Sequence, residues 1–513
     1  MNSAGSHAIF SRWLLTGKDR KVLLVLLCLV TAGQLISFKY CYPFPNFLPD
    51  SYSYIEVAAN NKDINMWPVG YSKFLRLVSC VSRSPLFLVV VQYLLLVISA
   101  LYFTTTLIYL FRLRKGLGYF LIALTVLNPL LIHTANLVAS DALFASLSLL
   151  WATTLVWLVA APEPKLMVLQ ALFCCLAFSV RYNALYYPFI GVVVLLLVNL
   201  PAKLKSAGIL MTAGLPILFV LLTMGKYKQA TGVSEFSPFG GWQLASNALY
   251  GYTHVNSDER LPPPPAFAAL DRLVNRHMDS LKRLRRRPDE KPGIYYLWDP
   301  ASPLKVYEKI YFAKDTATGG FSKWARMAGL YREYGSYLAK TYSAEFTRFY
   351  VLPNLLRYYV PDPEFLGIYN MKSSEMEQKG VEWFGLKDGK VKTVFSSPEV
   401  PTMNVFPVFL AIINLVYFLS LLGFLFLDGW RKSPPVKRKL LILIATLWLG
   451  NLLFSVMASP IVLRYQLFAL CFTLPLCLVF IDYIIAAGFA DGAVPKEKED
   501  RAHNRDVPLL TTE

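Results

Sequence analysis

The chain has 513 residues, 55% of them hydrophobic and 14% aromatic, with a mean hydropathy of +0.43; this composition excludes a soluble multi-domain protein and places the chain in a bilayer. The formal net charge of +18 raises nucleic acid as a partner, but most basic residues flank apolar runs, where the positive-inside rule and anionic lipid account for them, so membrane lipids and no nucleic acid are expected.

Runs long enough to cross a hydrocarbon core of roughly 30 Å recur along the chain. The first seven are Val22 to Phe38, Pro85 to Phe111, Leu117 to Ala139, Ala142 to Ala161, Leu166 to Val180, Tyr182 to Leu200 and Ser206 to Met224. Three more follow, at Asn404 to Leu427, Leu440 to Ala458 and Leu467 to Ala490. The expected fold is therefore an all-α polytopic integral membrane protein of about ten transmembrane helices. The first run has no small-residue cleavage site after it and reads as an anchor.

Lysines and arginines in the short connections set the orientation. Arg12, Lys18, Arg20 and Lys21 precede the first span, Arg112, Arg114 and Lys115 follow the second, and Lys203 and Lys205 follow the sixth. Arg431, Lys432, Lys437, Arg438 and Lys439 lie between the eighth and ninth. If the spans alternate, these loops share one side, both termini (1–21 and 491–513) are cytoplasmic, and the first loop, 39–84, is outside. A bacterial inner membrane, with the site facing the periplasm, is the expected location; an endoplasmic reticulum membrane comes second.

A core of seven spans (22–224) is then followed by a 225–403 segment too long to be a connector, by three C-terminal spans (404–490) and by a tail. The second half of 225–403 carries apolar and aromatic residues at helical spacing. Amphipathic helices are expected to lie over the outer membrane face and pack against the bundle. The stretch "HMDSLKRLRRRPDEK", His277 to Lys291, reads as a solvated helix face. Of seven cysteines, Cys28, Cys174, Cys175, Cys471 and Cys477 lie in spans and only Cys41 and Cys80 in loops, so no disulfide framework is expected. No Cys/His metal-ligand spacing occurs.

Four polar clusters fall on one outer face under this topology. Asp50 is followed by Tyr54 and the turn "NMWPVGYSKFLRL", which contains Tyr71; "HTANLVASDALF" carries His133 and Asp141; "VRYNALYYPF" carries Arg181; and "SPIVLRYQLF" carries Arg464 and Tyr465. A carboxylate can act as general base toward a hydroxyl, and arginines grip phosphate bidentately. Together they describe transfer chemistry on a lipid phosphate. Alternative roles stay open: Asp50 or Asp141 as a helix N-cap, and Arg181 and Arg464 as snorkelling anchors.

In order along the chain, "PDSYSYIEVA", "WPVGYSKFLRL", "HTANLVASDALF", "VRYNALYYP" and "LRYQLF" resemble the GT-C superfamily of polytopic glycosyltransferases, notably its aminoarabinose transferase and dolichyl-phosphate-mannose protein mannosyltransferase branch. The resemblance implies a GT-C-like bundle with two large outer loops and an inverting transfer from a polyprenyl-phosphate sugar donor to a glycan, lipid or protein acceptor. It also implies Asp50 as catalytic base, Asp141 as a second acidic residue, Arg181 and Arg464 at the donor phosphate, and Tyr54, Tyr71, His133 and Tyr465 as substrate contacts. No cofactor is required by it, and a divalent metal is left open. The first loop lacks the paired Asp-Glu of protein mannosyltransferases, which puts a protein acceptor in doubt. No DXD pair is present, which fits a lipid-linked donor. A transporter or flippase for lipid-linked saccharides is the alternative, and a scaffold with an outer interaction domain a third class.

Overall fold

The computed structural model describes residues 9–14 and 17–490; the expected tail, 491–513, and parts of the N-terminal segment lie outside the described residues. The chain is an all-helical polytopic integral membrane protein. Among the described residues, eight helices are long and apolar enough to cross a membrane, and Pro164–Val180 and Tyr182–Leu197 are shorter apolar helices. At 1.5 Å per residue the first of these short helices reaches about 26 Å, just under the hydrocarbon core.

In chain order, α1 (Lys18–Cys41) leads into two short helices of the first loop, α2 (Pro49–Ala59) and α3 (Gly70–Ser79). Then come α4 (Pro85–Phe111), α5 (Lys115–Val126) and α6 (Pro129–Ala135). The expected continuous span Leu117 to Ala139 is broken between the last two. Pro129 lacks the N–H needed to continue the helix, Asn128 caps the restart by accepting the Leu130 N–H at 3.0 Å, and the chain is extended by Leu137. Next are α7 (Asp141–Ala160), α8 (Pro164–Val180), a 3-10 turn at Tyr182–Tyr186, α9 (Tyr187–Leu197) and α10 (Ala202–Thr231). The last continues about two turns past Met224, because "KYKQAT" is polar yet contains nothing that stops a helix before Gly232, which ends it at φ +81°.

The segment between α10 and the last spans does not simply lie on the bundle, as its amphipathic pattern suggested. The helices α11 (Pro238–Tyr252), α12 (Ala268–Leu281) and α13 (Gly320–Thr341) build a core of their own from Trp242, Leu249, Val274, Tyr331 and Tyr334. Its helix α14 (Leu352–Tyr359) joins a cluster with span residues through Tyr358, Leu452 and Val456, and the stretch after it packs into the bundle core through Leu366, Tyr369, Trp383 and Phe384. In the basic stretch, Arg287 turns inward to the buried Asp289 at 2.8 Å, while Arg283, Arg285 and Arg286 are exposed. The chain closes with α15 (Pro401–Phe426), α16 (Pro435–Ala458), a 3-10 turn at Leu463–Gln466 and α17 (Leu467–Ala490). Seven apolar helices with a large first loop are thus followed by a second large loop and three apolar helices.

Candidate active site

One residue of the first loop ties three distant segments together. The Asn46 N–H donates to Asn136 O at 2.7 Å and Asn46 O accepts from Val138 N–H at 3.0 Å, a short bridge to the extended residues just before α7. Its side-chain oxygen accepts the Asn370 N–H at 2.8 Å, which fixes the loop that carries Glu364. Ser51 reinforces the join by accepting the Leu48 N–H at 2.8 Å and donating to Val138 O at 2.7 Å. Leu463 N–H donates to Asp362 O at 2.8 Å, so the same loop is also bound to the turn that begins the last span.

These ties bring Asp50, Asp141, Arg181 and Arg464 to one place. Asp141 is the first residue of α7 and Arg181 follows the last residue of α8. Arg181 Nη1 donates to Asp141 Oδ1, and Arg464 Nη1 reaches Asp141 Oδ2 at 3.4 Å. Asp141 and Arg464 are buried, at 2% and 9% side-chain exposure, and Arg181 is largely covered, at 16%. The arginines are thus held inside protein and do not snorkel to an interface. Nor is either aspartate an N-cap: Leu48 and Ser140 occupy the cap positions. Tyr465 lies under both guanidinium groups, 4.6 Å from Arg181 and 4.9 Å from Arg464, a stacking that favours their charged, planar heads.

A cavity of about 1030 Å³ opens beside this cluster, with Asp50, Tyr54, Arg181, Arg464 and Tyr465 in its wall. Asp50 has few polar neighbours: burial pushes its carboxyl up from the usual range, and Asp141 adds to this, while Arg464 and Arg181 oppose it. Part of its surface still faces the cavity. Burial also raises the Tyr54 phenol, which donates to Ser140 Oγ at 3.3 Å.

Two of the expected contact residues stand elsewhere. Tyr71 is fully buried behind Tyr54, edge-to-face at 4.9 Å, and donates to Gln92 Oε1 at 2.8 Å. His133 packs edge-on against Phe38 at 4.9 Å and Tyr42 at 5.8 Å. Neither lines the cavity. Glu56, close to Asp50 in sequence, pairs with Lys62 at 2.7 Å and Lys379 at 2.6 Å instead.

Sequence reasoning missed Glu364. Its Oε2 lies 3.8 Å from Arg464 Nε, close enough for attraction but not a hydrogen bond, and both atoms are buried without a hydrogen-bond partner. Burial raises its carboxyl too, against the pull of Arg464. The only signal in the sequence is "VPDPEF", two acidic residues each preceded by a proline.

Among the described residues, no group of three or more His, Cys, Asp or Glu side chains is placed to hold a metal ion. Both oxygens of Asp141 face guanidinium groups, so a divalent cation beside it would meet two positive charges. The donor set does not fit a metal. What it fits is an anion against Arg464 with a reacting hydroxyl near Asp50.

No family model matches the chain, and no curated protein matches it. Among solved structures it is similar to a crystal structure of ArnT from Cupriavidus metallidurans bound to undecaprenyl phosphate. That similarity is at 12% identity, covers 92% of this chain and 81% of the other, and has a TM-score of 0.29.

Proposed function

We propose that this protein is an inverting membrane glycosyltransferase of the GT-C type, moving a sugar from a polyprenyl-phosphate donor to an acceptor hydroxyl at the non-cytoplasmic face. One observation carries the proposal: two arginines share a single carboxylate at the wall of a large cavity, and one of them, Arg464, keeps an N–H without a hydrogen-bond partner. A buried donor left unmade costs about 1–3 kcal/mol, more when charged; Arg464 therefore gains from an anion that draws its guanidinium toward the cavity.

Asp50 takes the acceptor hydroxyl proton as the new bond to the sugar's anomeric carbon forms. The bond from that carbon to the phosphate oxygen breaks, and its electron pair stays on the polyprenyl phosphate, held by Arg464 and Arg181. Such a leaving group is stable as an anion, so positioning and charge stabilisation suffice. The aliphatic and aromatic wall from α16, Phe454, Met457 and Ala458, suits the first isoprene units. The expected locations, a bacterial inner membrane with the site toward the periplasm and cytoplasmic termini, belong to the same proposal.

The test is native mass spectrometry of wild-type and Asp50→Asn proteins purified in mild detergent. A sugar-loaded polyprenyl phosphate on the variant, with the bare phosphate on wild type, is expected. Ordinary phospholipid alone on both would refute the donor assignment. Solute passage across proteoliposomes without sugar transfer would instead favour a flippase.

A further inference from the structure

We propose that the end of the cavity away from the spans is a subsite for a pyranose ring, so that the acceptor is a glycan; the acceptor role rests on the transferase proposal. Three aromatic rings from three separate pieces of chain meet there: Trp67 of the first loop, Phe239 at the start of α11, and Trp298 at the end of the short helix Tyr295–Trp298. Trp67 is 4.6 Å from Phe239 and 6.0 Å from Trp298, and Phe239 is 6.2 Å from Trp298. All three are only partly buried. Neither indole N–H of Trp67 or Trp298 donates to a protein group among the described residues. Lys305 Nζ, 5.6 Å from the Trp298 ring and 4.1 Å from that of the buried Trp242, braces this shelf from the side of the domain core.

The polar groups around the shelf decide what it would hold. Gln243, one helical turn on from Phe239 in α11, and Arg357, which donates to Pro292 O, line the same cavity, whereas Asn247 donates to Met457 O and Ala458 O at 3.3 and 3.2 Å and stands at the α16 wall. A pyranose has a C–H face and a rim of hydroxyls; flat aromatic faces suit the first, and planar amide, guanidinium and carboxylate groups suit the second. An isoprenoid tail calls for an aliphatic wall without charges. The aromatic shelf, with Gln243 and Arg357 in the same cavity, does not answer that description. At about 1030 Å³ the cavity is at the top of the range for a small-ligand site, enough for the reacting ends of two substrates. Asp50 lies in the wall of the same cavity, so shelf and base open on one space.

The test uses the full-length protein in lipid nanodiscs, free of glycoside detergents, on a printed array of bacterial, plant and animal glycans. Wild type and Asp50→Asn are expected to bind a common set of glycans, with binding about tenfold or more weaker in Trp67→Ala and Trp298→Ala. Trp67→Phe, which keeps an aromatic face, retains most of it and controls for misfolding. No glycan bound by wild type, or equal binding in both alanine variants, overturns the subsite. The lipid found by mass spectrometry on the same Asp50→Asn preparation separates the two proposals. Donor lipid without glycan binding sinks the subsite alone; Trp-dependent glycan binding without donor lipid leaves a glycan-binding site and removes the transferase.

Discussion

Replacing Asp141 with Asn separates a structural hub from a helix cap. Two arginines meet its carboxylate, and all three side chains are at most 16% exposed. Removing one partner of a buried ion pair leaves an uncompensated charge and costs roughly 3–5 kcal/mol; here it also leaves two guanidinium groups facing each other. Loss of an N-cap would cost only about 1 kcal/mol. The Asp141→Asn protein should therefore show a much lower midpoint of thermal unfolding in detergent and no activity. In the Asp141→Asn/Arg181→Gln double variant the surplus charge is gone, so part of the lost stability should return while transfer stays absent. Coupling between the two substitutions is expected at about 1–3 kcal/mol. A single variant no less stable than a lost cap predicts, with additive behaviour in the double, would refute the hub.

Asp50→Asn should abolish transfer and, at neutral pH, raise the unfolding midpoint. The folded carboxyl titrates above its unfolded value because of burial, so its contribution to stability is present at low pH and lost as pH rises through the folded value; the gain in the variant should vanish near pH 4, and a gain independent of pH would contradict this. The acid limb of kcat/KM should lie above the ordinary carboxylate range, since Asp50 must be ionised to accept a proton; a limb at or below about 4 would point to another base. Burial raises the Glu364 carboxyl, so it is neutral beside Arg464 when the donor is bound; Glu364→Gln should leave polyprenyl phosphate binding at neutral pH nearly unchanged and remove its weakening as pH rises, measured by titration into nanodiscs, and weaker binding at neutral pH would mean that Glu364 supports the phosphate site. Gly241→Ala places a Cβ on the Ala328 carbonyl across the α11–α13 crossing, where Gly335 also lies 2.7 Å from Ala245 by the same construction. Overpacking there should cost about 1–3 kcal/mol and expose 238–341 to protease, and unchanged resistance would count against so close a crossing.

The membrane part was legible because a hydrocarbon core imposes one rule on composition, and all ten apolar runs are helices of nearly the expected bounds. Departures come where local chemistry overrides hydropathy, as at Asn128–Pro129 and in the polar but helical turns before Gly232. Asp50, Asp141, Arg181 and Arg464 could be grouped because the ends of spans alternate in side, which needs no knowledge of packing. Tyr71 and His133 shared that address but turn toward Gln92 and Phe38, a matter of side-chain direction that spacing does not give. Glu364 was invisible because it reaches Arg464 through Asn46–Asn370 and Asp362–Leu463, contacts formed across 324 and about 100 residues that leave no local pattern.

The charges in the cluster also explain why a buried base would sit so near two arginines. With Asp141 ionised, the arginines leave the cluster one net positive charge, and each proton lost from Asp50 or Glu364 removes one. A phosphodiester donor brings a single negative charge, which matches the cluster's one positive charge while Asp50 and Glu364 both keep their protons; once Asp50 has lost its own to become the base, the loaded site carries one net negative charge. During transfer Asp50 gains the acceptor's proton and loses its charge, while the phosphate gains one. The reaction then amounts to moving one negative charge from a carboxylate that burial disfavours to an oxygen beside Arg464 and Arg181. The site's total charge is unchanged, so little solvent reorganisation is needed. The same burial that makes Asp50 a liability for the folded protein makes it a stronger base than an exposed aspartate.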